Sequence, residues 1–203
     1  EWLGAHHGDK PFFVWGHLYH THRGGEVPLL EWGKLKRQDN PWMYYYDEKL
    51  ALCDAEVIGR MTDSLKSWGM WEDTTLIFCS DHGTNLGDRP ATAPVYRQHE
   101  PACPCQLNRY DINVRVAGII KDADLPKGVR NPGQARPVDI IPTILDLVGI
   151  PSDKYDMDGS SLVPAITAGR ASGRLAYSEN LQEWETEDNA LRQSLRTEEF
   201  HFL

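Results

Sequence analysis

An acid and an imidazole, Asp81 and His82, directly follow the apolar, β-branched run 74–80. Such a run after a turn is typical of a buried strand, and ligands and metals bind beyond the carboxyl ends of strands in open α/β sheets. A carboxylate with a neutral imidazole suits Zn²⁺ or Mn²⁺, whereas carboxylates together suit Ca²⁺ or Mg²⁺. Gly83 permits the sharp turn that would bring both side chains to one ion. The alternative is that Asp81 caps the following turn and His82 is merely exposed.

A second pair of candidate ligands, His20 and His22, follows the apolar run 11–19, which we also predict to be a buried strand. Side chains two residues apart in a strand face the same side, so both imidazoles could converge on one ligand. The alternative is a polar strand end in which one histidine hydrogen-bonds to the backbone. His99, with Arg97 nearby, lies in a long aperiodic stretch and is a weaker candidate for the same site.

The elements that must position these residues follow from apolar periodicity. Apolar residues recur every three or four positions over about 43–68 and predict a helix with one apolar stripe, which Gly69 ends. The helix leads through a turn into the strand 74–80, an order that indicates a parallel sheet. A third strand is predicted over 114–121.

The last third of the chain is predicted to contain another helix and short strands. The helix covers 139–148, with Asp139 as its N-cap and Gly149 as its terminator. Two short strands, 175–178 and 191–203, indicate a smaller C-terminal unit.

Composition narrows the class of protein. The 203 residues suffice for one large domain, or for one and a half small ones, with a sizeable core. The net charge of −9 argues against a nucleic-acid binder, since phosphate contacts need clustered Lys and Arg. No apolar run approaches the ~20 residues of a membrane span. Because the chain opens on what resembles a helix end and stops within a predicted strand, we expect a piece of a longer protein.

The four cysteines are assigned no chemistry. Cys53 on the apolar helix face and Cys79 inside a strand are predicted to be buried small hydrophobes. Cys103 and Cys105 flank Pro104 without the second Cys/His pair at matching spacing that a zinc site needs.

Four ordered blocks of the sequence resemble those of sulfatases in the alkaline-phosphatase-like superfamily. They are 11–22 (PFF leading to HTH), 54–61 (DAEVIGRM), 80–87 (SDHG followed by LG) and 138–164 (VDIIPTILDLVGIP, then DGSSLVP). The resemblance implies an α/β fold: an alkaline-phosphatase-like sheet sandwiched by helices, incomplete at both ends, with a small C-terminal α+β piece. It also implies that 1–168 are the C-terminal part of the catalytic domain and that 169–203 begin a C-terminal subdomain.

The family's mechanism implies roles for individual residues. One divalent ion, for which we expect Ca²⁺ with Mn²⁺, Mg²⁺ or Zn²⁺ as alternatives, would be held by Asp81, His82 and two acids nearer the N-terminus. The nucleophile would be a formylglycine, made from Cys or Ser in a C/S-x-P-x-R motif and expected upstream of residue 1. Its hydrate attacks sulfur while the metal withdraws charge. His22 matches the catalytic histidine that hydrogen-bonds the sulfate ester or its leaving oxygen, and His20 has no fixed counterpart.

Departures from the family pattern keep other activities open. The Gly-His or Gly-Lys block that supplies a cationic substrate contact in many sulfatases is missing, and Arg97 or His99 would substitute for it. The resemblance implies an arylsulfatase-like hydrolase of small-molecule or carbohydrate sulfate esters, and we expect this chain alone to be inactive. Alternatives are a phosphonate or phosphodiester hydrolase or phosphoethanolamine transferase of the same superfamily, or a non-catalytic homologue.

Overall fold

The structure is a computed structural model that describes residues 5, 10–22, 41–84, 111–169, 173–181 and 191–202. The predicted substrate contacts Arg97 and His99, and the pair Cys103 and Cys105, lie outside the described residues. Of the described residues, those up to Thr74 belong to one compact unit and the later ones to a second. None of the helices in this described part is long and apolar enough to cross a membrane.

The first unit contains one long helix, as the sequence predicts. It runs without a break through α1 (Pro41–Cys53), a π-helical segment (Asp54–Gly59) and α2 (Arg60–Ser67). Gly69 ends it at φ +70°, a left-handed conformation that favours glycine. Cys53 is buried, as predicted.

The predicted buried strand over 11–19 is not present. No regular secondary structure is assigned over 11–19, and Phe13 and Trp15 are 72% and 82% exposed. The residue types favour a strand, but a strand also needs a neighbour for its backbone hydrogen bonds. Among the described residues no strand supplies one.

The second unit begins with a two-stranded sheet. β1 (Leu76–Cys79) pairs with β2 (Gly118–Lys121), with Leu76 opposite Lys121 and Cys79 opposite Gly118. The pairing is antiparallel, so the expected parallel arrangement is wrong for these two strands. The expectation came from the order of a helix followed by a strand. That order does not specify the direction in which the next strand pairs with β1.

The ends of both strands also differ from the prediction. The strand predicted over 114–121 begins only at Gly118, because the short helix α3 (Asp111–Val114) precedes it. Cys79 is exposed rather than buried. An apolar run predicts a strand, but it does not specify which element covers each face of the sheet.

The helix predicted over 139–148 is confirmed as a 3₁₀ turn (Pro137–Asp139) followed by α4 (Ile140–Leu147). Gly149 follows at φ +70°, as expected for a terminator. The role predicted for Asp139 is wrong, because its side chain makes no capping hydrogen bond to α4. Its carboxylate is instead fully buried against two arginines, Arg136 and Arg174.

A short helix and a three-stranded antiparallel sheet complete the second unit. They are α5 (Val163–Ala168), β3 (Ala176–Leu181), β4 (Leu191–Arg196) and β5 (His201–Phe202), with β4 in the centre. The predicted strand 191–203 is thus divided by a turn, in which the Thr197 N–H donates to the Phe200 carbonyl at 2.8 Å. The proposed subdomain boundary at residue 169 stays a prediction.

Candidate metal centre

The loop after β1 is held by two backbone hydrogen bonds to the segment that leads into β2. The Ser80 N–H donates to the Ala117 carbonyl at 3.1 Å, and the Gly83 N–H donates to the Asn113 carbonyl at 2.8 Å. Asp81 and His82 lie between these two fixed points. Their side chains are therefore presented by a backbone that is anchored on both sides.

Local hydrogen bonds orient the imidazole of His82. Its Nδ1 lies 2.6 Å from the Gly83 carbonyl oxygen. Because a carbonyl oxygen only accepts, Nδ1 carries the proton in this contact and Nε2 presents a lone pair in the neutral ring. In metal-binding histidines, the ring nitrogen that does not bind the metal usually donates its N–H to a carboxylate, a backbone carbonyl or water. This hydrogen bond fixes the orientation of the ring.

The donor atoms of Asp81 and His82 fit one divalent ion. Nε2 of His82 lies 3.8 Å from Oδ2 of Asp81, and the side chains are 43% and 69% exposed. Metal–ligand bonds of about 2.0–2.6 Å are long enough to span that separation. The backbone N–H of His82 donates to Oδ1 of Asp81 at 2.9 Å. One carboxylate oxygen therefore caps the turn, as the alternative interpretation expects, and the other faces the imidazole.

No third ligand joins the pair within the part of the chain that the structure describes. The nearby thiol of Cys79 is not activated either. Although Cys79 is exposed, neighbouring atoms shield its sulfur from part of the solvent and so raise the pKa of its thiol, and the Asp81 carboxylate raises that pKa further. The thiol therefore stays protonated at neutral pH and is a weak nucleophile.

Gly83 lets the loop lie directly on α3. A Cβ atom built on Gly83 would lie 2.0 Å from the backbone oxygen of Ile112, a distance that no real contact allows. The glycine is required here by the close approach of two backbone segments, in addition to the sharp turn that the sequence suggested.

We expect Gly83→Ala to destabilise the protein by about 1–3 kcal/mol, since the added methyl group forces the loop away from Ile112. Urea unfolding followed by circular dichroism would measure the change. Gly118→Ala is the matched control, because a Cβ at Gly118 meets nothing within 4 Å. Equal unfolding midpoints for the two variants would contradict the close approach.

The two predicted histidines of the first unit lie in a turn rather than in a strand. The His22 N–H donates to the Tyr19 carbonyl at 3.0 Å, so the argument that residues two apart share a face does not apply. The side chain of His22 is exposed, whereas His20 is half-buried with an Nδ1 that has no hydrogen-bond partner among the described residues. The convergence of His22 on Asp81 and His82 stays a prediction from the resemblance.

Lys49 is a structural neighbour of His22 that the sequence did not indicate. Its side chain is buried, and its Nζ donates to the His22 backbone carbonyl at 2.9 Å. A lysine within a helical pattern normally faces solvent, so periodicity gave no signal. Its amine holds the backbone that carries the candidate catalytic histidine.

The family follows from comparison with known proteins. Residues 1–150 match the family model described as Sulfatase. The chain belongs to the sulfatase family. This confirms the family that the four sequence blocks resemble, and it places the Asp81–His82 loop within the part that matches.

Two curated relatives agree with this assignment. The sulfatase-family chain is 31% identical over 119 residues to the multifunctional alkaline phosphatase superfamily protein PehA of Trinickia caryophylli, covering 58% of this chain and 21% of that protein. It is 30% identical over 124 residues to choline-sulfatase of Rhizobium meliloti, covering 60% of this chain and 20% of that enzyme. The chain thus spans about a fifth of the length of these relatives.

A solved structure supports the fold. The phosphonate monoester hydrolase of Agrobacterium radiobacter superposes with a TM-score of 0.60 at 23% identity, covering 78% of this chain and 32% of that one. At this identity the likeness shows the fold alone. The predicted α/β fold of the alkaline-phosphatase-like kind is confirmed.

Proposed function

We propose that this sulfatase-family chain supplies the Asp81–His82 half of a divalent-cation site in an enzyme that hydrolyses sulfate esters. The observation that carries the proposal is the orientation of His82. Its Nδ1 is engaged by the Gly83 carbonyl, and its Nε2 faces the Asp81 carboxylate at 3.8 Å. The two donor atoms are accessible to solvent, face each other and lie at the end of a strand. This arrangement is better explained by metal binding than by a role in packing the core.

In this proposal each residue has a defined task. Asp81 contributes negative charge and one oxygen donor, and His82 contributes a neutral nitrogen whose direction Gly83 fixes. A bound divalent ion, which we expect to be Ca²⁺, with Mn²⁺, Mg²⁺ or Zn²⁺ as alternatives, supplies Lewis-acid stabilisation of charge on the ester oxygens. His22 hydrogen-bonds the ester or its leaving oxygen and provides a proton to the departing group. The nucleophile is proposed to be a formylglycine outside these 203 residues.

The substrate contacts and the substrate class belong to the same proposal. Arg97 and His99 would bind the anionic ester in place of the missing Gly-His or Gly-Lys block. The similarity to choline-sulfatase favours a sulfate ester of a small molecule, and carbohydrate or aryl sulfates share the same reacting group. Hydrolysis of phosphonate monoesters, an alternative that the sequence leaves open within the same superfamily, is the second candidate.

An ester panel distinguishes these candidates. The full-length protein, purified with Ca²⁺, is assayed on p-nitrophenyl sulfate and on p-nitrophenyl phenylphosphonate, and its aldehyde content is measured with a hydrazide probe. We expect labelling by the probe and a kcat/KM at least tenfold higher for the sulfate. A preference for the phosphonate would favour the second candidate, and hydrolysis of neither ester by cation-loaded protein would contradict both candidates.

A further inference from the structure

A three-residue cluster joins α3 to the C-terminal sheet. Arg196 on β4 forms an ion pair with Asp111, and Nδ1 of His201 on β5 lies 3.0 Å from the same carboxylate oxygen. Arg196 and His201 are directly opposite each other in the β4–β5 ladder. Both side chains therefore reach one acid that is 85 or more positions away in sequence.

The burial of His201 distinguishes this cluster from an ordinary surface ion pair. Its side chain is only 16% exposed, and its Nε2 is buried with no hydrogen-bond partner among the described residues. A nitrogen that is buried without a partner loses its hydration and gains no hydrogen bond in return, which is unfavourable. Among the described residues, the contact from Nδ1 to Asp111 is the polar contact that this buried ring makes.

Asp111 is also the first residue of the backbone segment that supports the metal loop. α3 is a single turn of four residues, too short to be stable without tertiary contacts. The Asn113 carbonyl of this turn receives the Gly83 N–H, and the Ala117 carbonyl just beyond it receives the Ser80 N–H. The loop that carries Asp81 and His82 therefore rests on a segment that Asp111 anchors at its start.

We propose that Asp111, bound by Arg196 and His201, is a positioning residue that holds α3 in place and thereby sets the separation of the two metal donors. The inference rests on the proposed function, since it assumes that Asp81 and His82 bind a cation. Asp111 acts through the Asn113 carbonyl and Gly83 and does not contact the ion. The C-terminal sheet thus contributes to the site without supplying a ligand.

The competing explanation is a stabilising contact with no bearing on the site. Partly exposed ion pairs contribute little to stability, and the side chains of Asp111 and Arg196 are 46% and 32% exposed. A contact of that kind would change the melting temperature slightly and leave cation affinity unchanged. Affinity, measured well below the melting temperature, therefore separates the two explanations.

The test is calorimetric titration of Ca²⁺ and of Mn²⁺ into the full-length protein and its variants. Removing groups that orient metal ligands typically costs 10–100-fold in affinity, and we expect Asp111→Asn to raise the Kd about tenfold or more. Asp111→Glu, which keeps the carboxylate, should recover most of the affinity. Asp122→Asn is the matched control, because Asp122 is bound by Thr75 at the opposite end of the β1–β2 sheet.

Activity gives a second measurement. The loss of kcat/KM in Asp111→Asn at limiting Ca²⁺ should be recovered by excess Ca²⁺, whereas a variant that is less stable but still folded at the assay temperature should show no loss at limiting Ca²⁺. If Asp111→Asn does not fold, His201→Phe replaces it, since this change removes the Nδ1 donor and keeps a ring in the buried position. Wild-type affinity in the folded variant would overturn the positioning role while the metal site stands. Absence of cation binding in the wild-type protein would overturn the proposed function and, with it, this inference.

Discussion

Replacing Asp81 by Asn is expected to lower the activity of the full-length protein by several orders of magnitude and to abolish tight cation binding, with little change in stability. The reason is electrostatic. The amide keeps an oxygen that can accept the His82 N–H, but it lacks the negative charge that holds a divalent ion and offers one fewer oxygen donor. Because the side chain is 69% exposed, no packing is lost. His82→Ala should have a comparable effect through loss of the nitrogen donor.

The measurements are ester hydrolysis at saturating substrate, Ca²⁺ titration and thermal unfolding, each on wild type and variant. Asp124→Asn is the matched control, since Asp124 is an exposed acid of the same unit located away from the loop. We expect this control to behave as wild type in all three measurements. Activity of Asp81→Asn within tenfold of wild type would contradict the metal assignment.

The parts of the site that are local in sequence could be predicted from it. The apolar run, the turn before it and the Asp–His–Gly triplet after it are contiguous, and the structure places β1 and its polar end there. Gly69 and Gly149 likewise end their helices as predicted. Strand propensity and helix termination depend mainly on residue type and backbone geometry, so these predictions hold.

The parts that depend on distant residues could not be predicted. β1 pairs in antiparallel register with β2, which lies about 40 positions later in the chain, and the partners of Asp111 follow it by 85 or more positions. The segment 11–19 has strand-like composition but no described neighbour to pair with. The sequence pattern of a segment indicates which secondary structure it favours. Which strand it pairs with, and which of its faces is buried, depend on the elements around it.

Asp139 shows the same limit most clearly, because an acid just before a helix is the usual sequence signal for an N-cap. The signal is genuine, but a competing set of donors binds the carboxylate. Arg136 Nη2 lies 2.7 Å and the Ser160 N–H 3.0 Å from Oδ1, and Arg174 Nη1 lies 3.1 Å from Oδ2. Arg174 is 35 positions further along the chain. One buried acid therefore connects the start of α4, the 158–161 segment and the approach to β3.

The contacts of Asp139 make the stability of the protein depend on pH, because they require the ionised carboxylate. Burial by itself raises the pKa of Asp139, but hydrogen bonds from the Arg136 side chain and from the Ser160 and Arg136 backbones lower it below its ordinary value. A carboxyl with a lower pKa in the folded state stabilises the protein above its unfolded pKa of about 3.9. That contribution is lost as the pH falls through the lowered, folded-state pKa. Stability should therefore decrease below about pH 4.

We expect Asp139→Asn to destabilise the protein by about 3–5 kcal/mol at pH 7, because the variant leaves the guanidinium groups of Arg136 and Arg174 facing an uncharged amide. Urea unfolding at pH 7 and pH 3 measures the effect. The difference in the free energy of unfolding between wild type and variant should be smaller at pH 3, because the wild-type carboxyl is then closer to being protonated. Asp156→Asn, an exposed acid of the same unit, should cost less than about 0.5 kcal/mol. A cost below about 1 kcal/mol for Asp139→Asn would mean that water reaches the arginines and that the acid is not the centre of this connection.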